Sequence, residues 1–447
     1  MENVIATGRR RTLLDMNAYQ WTVILAAWLG WGFDIFDSLL MNYVAPNAVP
    51  TLLGIPLGTP AAQSATLQWT GILTSILLLG WCAGGIIFGK ICDRIGRTKT
   101  LLLTMILYSV GTAACAFAPN IWVLLLFRVV SSLGIGGEWA AGAAMVAEVV
   151  PENRRVEAGA LLYTASPLGL FLATYITYQV TGVYFVDPAS SWRYVFLFGL
   201  VPAAVAFIVR LFVKEPERWQ NLGETRTHAK ISELFTPKYR ALTISGFCMA
   251  VTALVTWWSC NAFIAVVAKG LALREAQASG ITAAAAEVMG QQWVRTATNI
   301  FNLGGLIATV LTIPAAKILG RKNMFLVYFL GSAAALMAAF GLDLDPQVRL
   351  YMYFPIGLTT YGIFGAFTFY LPELFPTRLR GTGAGFTYNI GRLIAAFGPF
   401  LVGSIAASGA NALDSAIRVL FWVGVVPLLG VATLPLVIET KGRVLED

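Results

Sequence analysis

The sequence predicts an all-α integral membrane protein, with twelve spanning helices set in two pseudo-symmetric bundles of six. Three observations carry this reading. Of 447 residues, 57% are hydrophobic and 12% charged, with mean hydropathy +0.71, whereas a soluble domain carries about 25% charged residues. Apolar runs of about 20 residues, each long enough to cross a bilayer as a helix, recur along the whole chain. Finally, the chain repeats itself. GKICDRIGRTKTLLL (Gly89 to Leu103) returns in worn form as IPAAKILGRKNMFLV (Ile313 to Val327), and EVVPENRR (Glu148 to Arg155) returns as ELFPTRLR (Glu373 to Arg380). The two offsets, 224 and 225 residues, agree to within one position.

The first bundle, 1–213, begins with a span at 18–46 that holds Asp34 and Asp37 inside the run GWGFDIFDSLL. A second at 66–89 leads into the basic loop Lys90 to Lys99, and a third follows at 99–118. The fourth, 121–148, carries Arg128 and Glu138; the fifth, 156–181, carries Tyr163; the sixth is 193–213. A polar cytoplasmic linker at 214–239 separates this half from the second, 240–447. There the seventh span, 240–268, holds Trp257, Trp258 and Asn261, and the eighth, 292–316, holds Asn299 and Asn302. After a ninth at 323–342, the tenth (350–372) holds Tyr361 and the eleventh (381–406) holds Tyr388, Asn389 and Arg392. The twelfth is 414–438.

The net charge of +8 reports topology rather than nucleic-acid binding. Most of the 31 Lys and Arg fall in Arg9–Arg11, Lys90 to Lys99, the 214–240 stretch, Lys317 to Lys322 and other loops on one side. Such a bias marks the cytoplasmic face, so both termini are expected in the cytoplasm and the chain in the cell (inner) membrane. His228 is the single histidine and the five cysteines have no metal-ligand spacing, so neither a metal site nor a cofactor is expected. No nucleophile–base set lies in the spans, which argues against an enzyme.

Charges inside the spans are the informative residues, because each costs about 2.5–3.5 kcal/mol at the bilayer centre and must face a cavity or a partner. Asp34 and Asp37, three apart, lie on neighbouring turns of one helix face. They suit either a polar patch between helices or a proton carrier, whose pKa follows its surroundings. At 1.5 Å per residue, Asp37 and Arg128 fall at equal depth and are expected to pair, which leaves Asp34 without a depth-matched cation. Glu138 is either a second protonatable group or a neutral acid bonded between helices. Arg392 falls close to mid-membrane, and Pro167 stands at its repeat position. A guanidinium matches a carboxylate through two bonds, so an anionic substrate is the economical explanation. Tyr163, Trp257, Trp258, Asn261, Asn299, Asn302, Tyr361, Tyr388 and Asn389 are candidates to line the cavity, for an aromatic ring or for a hydroxylated chain.

GKICDRIGRTK resembles the loop signature of the major facilitator superfamily, G-x-L-x-D-R-x-G-R-[RK]. Gly89, Asp93, Arg94, Gly96 and Arg97 occupy its key positions; Ile91 and Thr98 depart from it. RVVSSLGIGGEW resembles the R-x-x-x-G-x-G-x-G-G-E-[WY] form of metabolite:proton symporters, with Ser132 in place of the first Gly. Together with the D-x-x-D of the first span and YLPELFPTRLRGTGAGFTYNIGR, the chain is similar to the sialic-acid and aromatic-acid proton symporters, and distantly to organic-anion transporters. The resemblance implies the major facilitator fold, a span-1 Asp working with the span-4 Arg, and an anion-binding Arg at position 392. It also makes Asp93, Arg94 and Arg97 inner-gate residues, joined by the pairs Glu148/Arg155 and Glu373/Arg380. The expected function is proton-coupled symport of a small organic carboxylate by a monomer working in a lipid bilayer. A sugar:proton symporter or a multidrug or organic-ion exporter of the same fold is the alternative. Arg392 counts against a neutral sugar and against a cationic drug.

Overall fold

A computed structural model describes residues 16–150, 155–185, 187–211, 230–376 and 379–441, and these are helical throughout apart from short connections. Eleven helical stretches among them are long and apolar enough to cross a membrane. The sixth expected span is present as two short helices, Ser191–Phe198 and Leu200–Leu211, parted at Gly199. Twelve spans in two sets of six result.

Several spans run further than their apolar cores. The first extends over Ala18–Leu53, not to 46, and the second over Pro60–Ile95. The seventh reaches Ala278 and the eighth starts at Ala283 rather than 292. A helix of 36 residues is about 54 Å long against a hydrocarbon core of about 30 Å, so its ends reach beyond that core, with Asn47 to Pro50 packed inside the protein. Asn17 starts the first helix as a capping box: its side chain accepts from the Gln20 N–H at 2.8 Å and Gln20 returns the bond. The Gln20 amide also donates to the Val149 carbonyl, tying the start of span 1 to the end of span 4.

The internal repeat is visible in the backbone. Gly96 (φ 102°) and Gly320 (φ 82°) stand immediately before the helices that open at Arg97 and Arg321. Both conformations belong to glycine, which explains why G-R is the best-kept dipeptide of the repeat. Within the first half, span 4 packs on spans 2 and 3 and span 1 on span 5; within the second, span 8 packs on span 10 and span 7 on span 11. The halves meet where span 2 faces span 11 and span 5 faces span 8. Ser75 there donates to the Ala396 carbonyl at 2.6 Å and Ser64 to that of Ala407 at 2.8 Å.

Large apolar side chains cover the outside, among them Phe117, Ile318, Trp122 and Leu429, each more than 60% exposed. A belt of that kind suits lipid rather than water. At the end of the molecule that carries residues 16 and 441, the segment 434–441 lies across spans 7 to 10. The Ile438 N–H donates to Ser245 and its carbonyl accepts from Tyr370. Glu439 accepts from the N–H groups of Arg321 and Lys322, both at 3.0 Å. Thr440 donates to Glu373 at 2.6 Å, and Lys441 to the Ile318 carbonyl.

Candidate functional site

Arg392 is the centre of the site. It stands four residues, one helical turn, beyond Tyr388 in span 11, and it is 2% exposed. Its guanidinium carbon lies 4.2 Å from the ring centre of Trp81, on span 2, and 4.6 Å from that of Tyr388. Span 2 belongs to the opposite half, so a cation of the second half rests on an aromatic face of the first, an attraction that strengthens away from water. Of the five N–H donors of a guanidinium, the protein engages some through Asn389 (3.3 Å) and Tyr388. Among the described residues no carboxylate forms an ion pair with Arg392. Asp34, also fully buried, is the acid whose charge reaches it.

Aromatic rings wall the space around this cation. Trp81 meets Trp31 (6.1 Å) and Trp258 (5.9 Å); Trp258 meets Trp257 (4.7 Å). Tyr163 meets Trp31 and stacks on Phe364, while Trp257 also meets Phe301 and Tyr361. The Tyr361 hydroxyl bonds Ser166 at 2.9 Å, and Phe367 closes the wall against Tyr388. Spans 1, 2, 5, 7, 8, 10 and 11 all contribute. Beyond the rings, on the side away from the 434–441 segment, lie polar groups: Asn42 bonded to Thr74, Tyr43 beside Thr174 and Asn302, and Asn261. Asn261 is 1% exposed with neither amide atom hydrogen-bonded in the protein. A buried amide in that condition calls for a partner. Asn299 is half-buried and joins no described contact.

The acids of span 1 divide differently from the depth-matched expectation. Arg128 does lie against Asp37, but it donates to the main-chain carbonyls of Asp37 and Ser38, at 3.4 and 3.0 Å, not to the carboxylate. The Asp37 carboxyl turns instead toward Thr112 of span 3 and Gly199 of span 6. A Cβ at Gly199 would sit 2.9 Å from Asp37 Oδ1, so the missing side chain at Gly199 is what admits this carboxyl. Asp34, expected to lack a cation, is the residue in the field of Arg392. Rise along a helix gives depth; rotation about it decides which neighbour is met. Glu138 is buried at 2% exposure in span 4.

Of the expected gate residues, the side chains of Asp93, Arg97, Glu148 and Arg155 lie outside the described residues. Arg94 is exposed. In the second half Glu373 does not pair with Arg380. It takes two bonds from Arg321, at 2.7 and 3.1 Å, and one from Thr440, while Arg380 donates to the Pro372 carbonyl. The partner that the motif supplies to the second-half glutamate is therefore the arginine of G-R.

Trp31, Trp81, Phe301, Phe364 and Phe367 belong to the wall without having been singled out in the sequence. Trp31 stands one turn before Asp34 and Trp81 is flanked by Gly80 and Gly84, and those neighbours were the available signals.

The chain matches the Major Facilitator Superfamily over residues 21–399. It is 26% identical, over 94% of its length and 91% of the relative's, to a protein of Cupriavidus pinatubonensis named as a probable 4-methylmuconolactone transporter. It is 25% identical to a gentisate transporter of Corynebacterium glutamicum, over 89% and 83% of the two chains. Among solved structures it superposes on a D-xylose-proton symporter with TM-score 0.74 at 19% identity, over 96% of this chain and all of that one. These are transporters, not enzymes. With a family match across most of its length and the same fold in three dimensions, the chain belongs to the major facilitator superfamily and is a multi-pass membrane transporter.

Proposed function

We propose that this transporter carries a small organic carboxylate together with protons, by rocking residues 1–213 against 240–447 about the buried site. The single observation that carries the anion is Arg392: a fully buried cation, without an ion-pair partner among the described carboxylates, held on aromatic faces with part of its N–H fork open. A buried charge without a partner is costly, and a substrate carboxylate relieves that cost on binding. The rings take the body of the substrate. Asn261 and Asn302 take its neutral polar groups. The gentisate transporter among the relatives is compatible with this class of cargo.

Asp37 carries the proton in this reading. It is buried in a pocket of spans 1, 3, 4 and 6, next to a permanent cation, so a small change in helix packing changes its affinity for a proton. Arg128 positions that pocket by holding the span-1 main chain, and Glu138 and Asp34 are the further groups within the bundle. Arg94, Arg97 and Asp93, with Glu148, Arg155, Glu373 and Arg380, work at the inner closure. The protein acts as a monomer in the inner membrane with both termini cytoplasmic. A sugar:proton symporter is the second reading, favoured by the unbonded Asn261 amide, and it would use that amide and leave Arg392 without a role.

The test is uptake into proteoliposomes of a radiolabelled panel of aromatic and hydroxylated acids, their methyl esters, and neutral sugars, with and without an inward proton gradient. Acids accumulated with the gradient and esters rejected are expected. Uptake of a sugar and of no acid overturns the proposal.

A further inference from the structure

A second buried charge cluster lies far from Arg392, at the end of the molecule opposite segment 434–441. Lys269, in the outer helix of span 7, is 6% exposed. Its ammonium pairs with Glu287, in the first turns of span 8, at 2.8 Å. Gln291, one turn further along span 8, donates to the same Glu287 oxygen at 3.1 Å. Lys269, Glu287 and Gln291 all belong to the second half. The first half contributes only uncharged groups. The Asn47 amide, in span 1 between Pro46 and Pro50, accepts from Lys269 and donates to Glu287 at 3.4 Å. The Thr181 hydroxyl, in the single π-helical turn that ends span 5, donates to Gln291 at 3.3 Å. The lysine stem lies along Gly290, where an added Cβ would meet Cγ at 3.2 Å.

We infer that these five residues form the outer seal of the transport path, in which an ion pair kept whole within one half serves as the docking point for neutral side chains of the other. The inference rests on the transport reading above. Its physics is a matter of what must be separated. Pulling a lysine from a glutamate inside the protein leaves two uncompensated charges, which is strongly unfavourable. Here the pair and its Gln291 brace travel together. Within this cluster opening breaks only the bonds made by Asn47 and Thr181, each worth about tenfold to a hundredfold in an equilibrium when one partner is charged and less when both are neutral. The seal is therefore specific in register and light enough to open in every cycle. Asn47 suits the position because an amide both donates and accepts and so bridges the two ions at once.

Two spin labels read the seal directly. Ala61, at the start of span 2, and Ala278, at the end of span 7, are exposed and lie on opposite halves at this end. With cysteines placed there in a background lacking the native ones, the distance distribution between labels reports closed and open populations. Asn47→Ala is expected to raise the open-to-closed ratio by about tenfold or more. The double exchange Lys269→Glu with Glu287→Lys is expected to restore a ratio close to the unexchanged protein, since the pair is kept and the Asn47 amide turns to serve it. Either single exchange is expected to behave as Asn47→Ala or worse. An unchanged distribution in Asn47→Ala overturns the inference, as does a double exchange that opens as far as the single ones. Two distance populations that respond to Asn47→Ala in a protein that takes up no acid keep the seal and remove only the carboxylate reading.

Discussion

Arg128 and Arg392 are equally buried, yet they are held in opposite ways. Arg128 is bound into its own half: its two terminal nitrogens donate to the carbonyls of Asp37 and Ser38, while its Nε has no partner in the protein. Arg392 crosses between halves, resting on Trp81 with its charge incompletely answered. A cation tied to main-chain oxygens shapes a pocket. A cation laid on aromatic rings suits the anion proposed for it. Among the described residues the first half holds the buried acids Asp34, Asp37 and Glu138 together with Arg128, and the second half holds the buried bases Arg392 and Lys269.

The comparison breaks first at Asp37. Asp37→Asn is expected to abolish gradient-driven accumulation while exchange of substrate across the membrane at equilibrium persists, because the cavity keeps its shape and only the titrating group is gone. Accumulation at the normal level sinks the assignment. Arg392→Ala comes next, with acid affinity falling roughly a hundredfold or more, as the loss of a charged interaction of a few kcal/mol demands. Arg392→Lys is expected to fall between, since an ammonium is a point charge without the planar fork. Discrimination between acid and methyl ester should shrink in step. A purely structural arginine would weaken uptake of both ligands alike, and binding measured by calorimetry on folded protein separates the cases.

Asp34→Asn sharpens the contrast from the other side. It removes an acid whose field opposes an anion at Arg392, so acid affinity is expected to rise several-fold and release to slow, with accumulation ratio little changed. A variant that loses coupling as Asp37→Asn does would move the proton role to Asp34.

How much of this could be read in advance follows from what each signal encodes. Spans, repeat and Arg392 were legible because a charge in an apolar run is rare and a glycine that must take positive φ, as Gly96 and Gly320 do, stays in place across a repeat. The partners were not. Equal depth put Asp37 level with Arg128, but the carboxyl rotates toward Thr112 and Gly199. The Lys269 pair leaves no such mark, because Glu287, its partner, lies eighteen positions on and in the next helix. Trp31 and Trp81 were hidden by abundance: with 12% aromatic residues, position alone does not separate a cavity ring from a lipid-facing one.

The smallest expected effect lies outside the spans. Glu439 is pushed up by burial, but the N–H groups of Arg321, Lys322 and Lys441 outweigh this and hold its carboxyl below the ordinary 4.5. A carboxyl depressed in the folded state stabilises above its unfolded pKa, and that stability fades as pH falls through the folded value. Glu439→Gln is therefore expected to lower stability near pH 7 by on the order of 0.5 kcal/mol, screened by solvent. The difference should close as pH drops below 4.5, as thermal unfolding at several pH values checks. A deficit that persists in acid refutes the charge as its cause.

The strap at 434–441 has a consequence for biogenesis. Its bonds to Ser245, Ile318, Arg321, Tyr370 and Glu373 reach four spans made well before it. During synthesis those spans enter the bilayer while residues 434–441 are still inside the ribosome, so the second half is threaded first and fastened last. Ribosome-stalled chains in which spans 7 to 10 have entered the bilayer but residue 434 has not emerged should then expose the span 8–9 turn to protease, becoming resistant only once the strap has emerged.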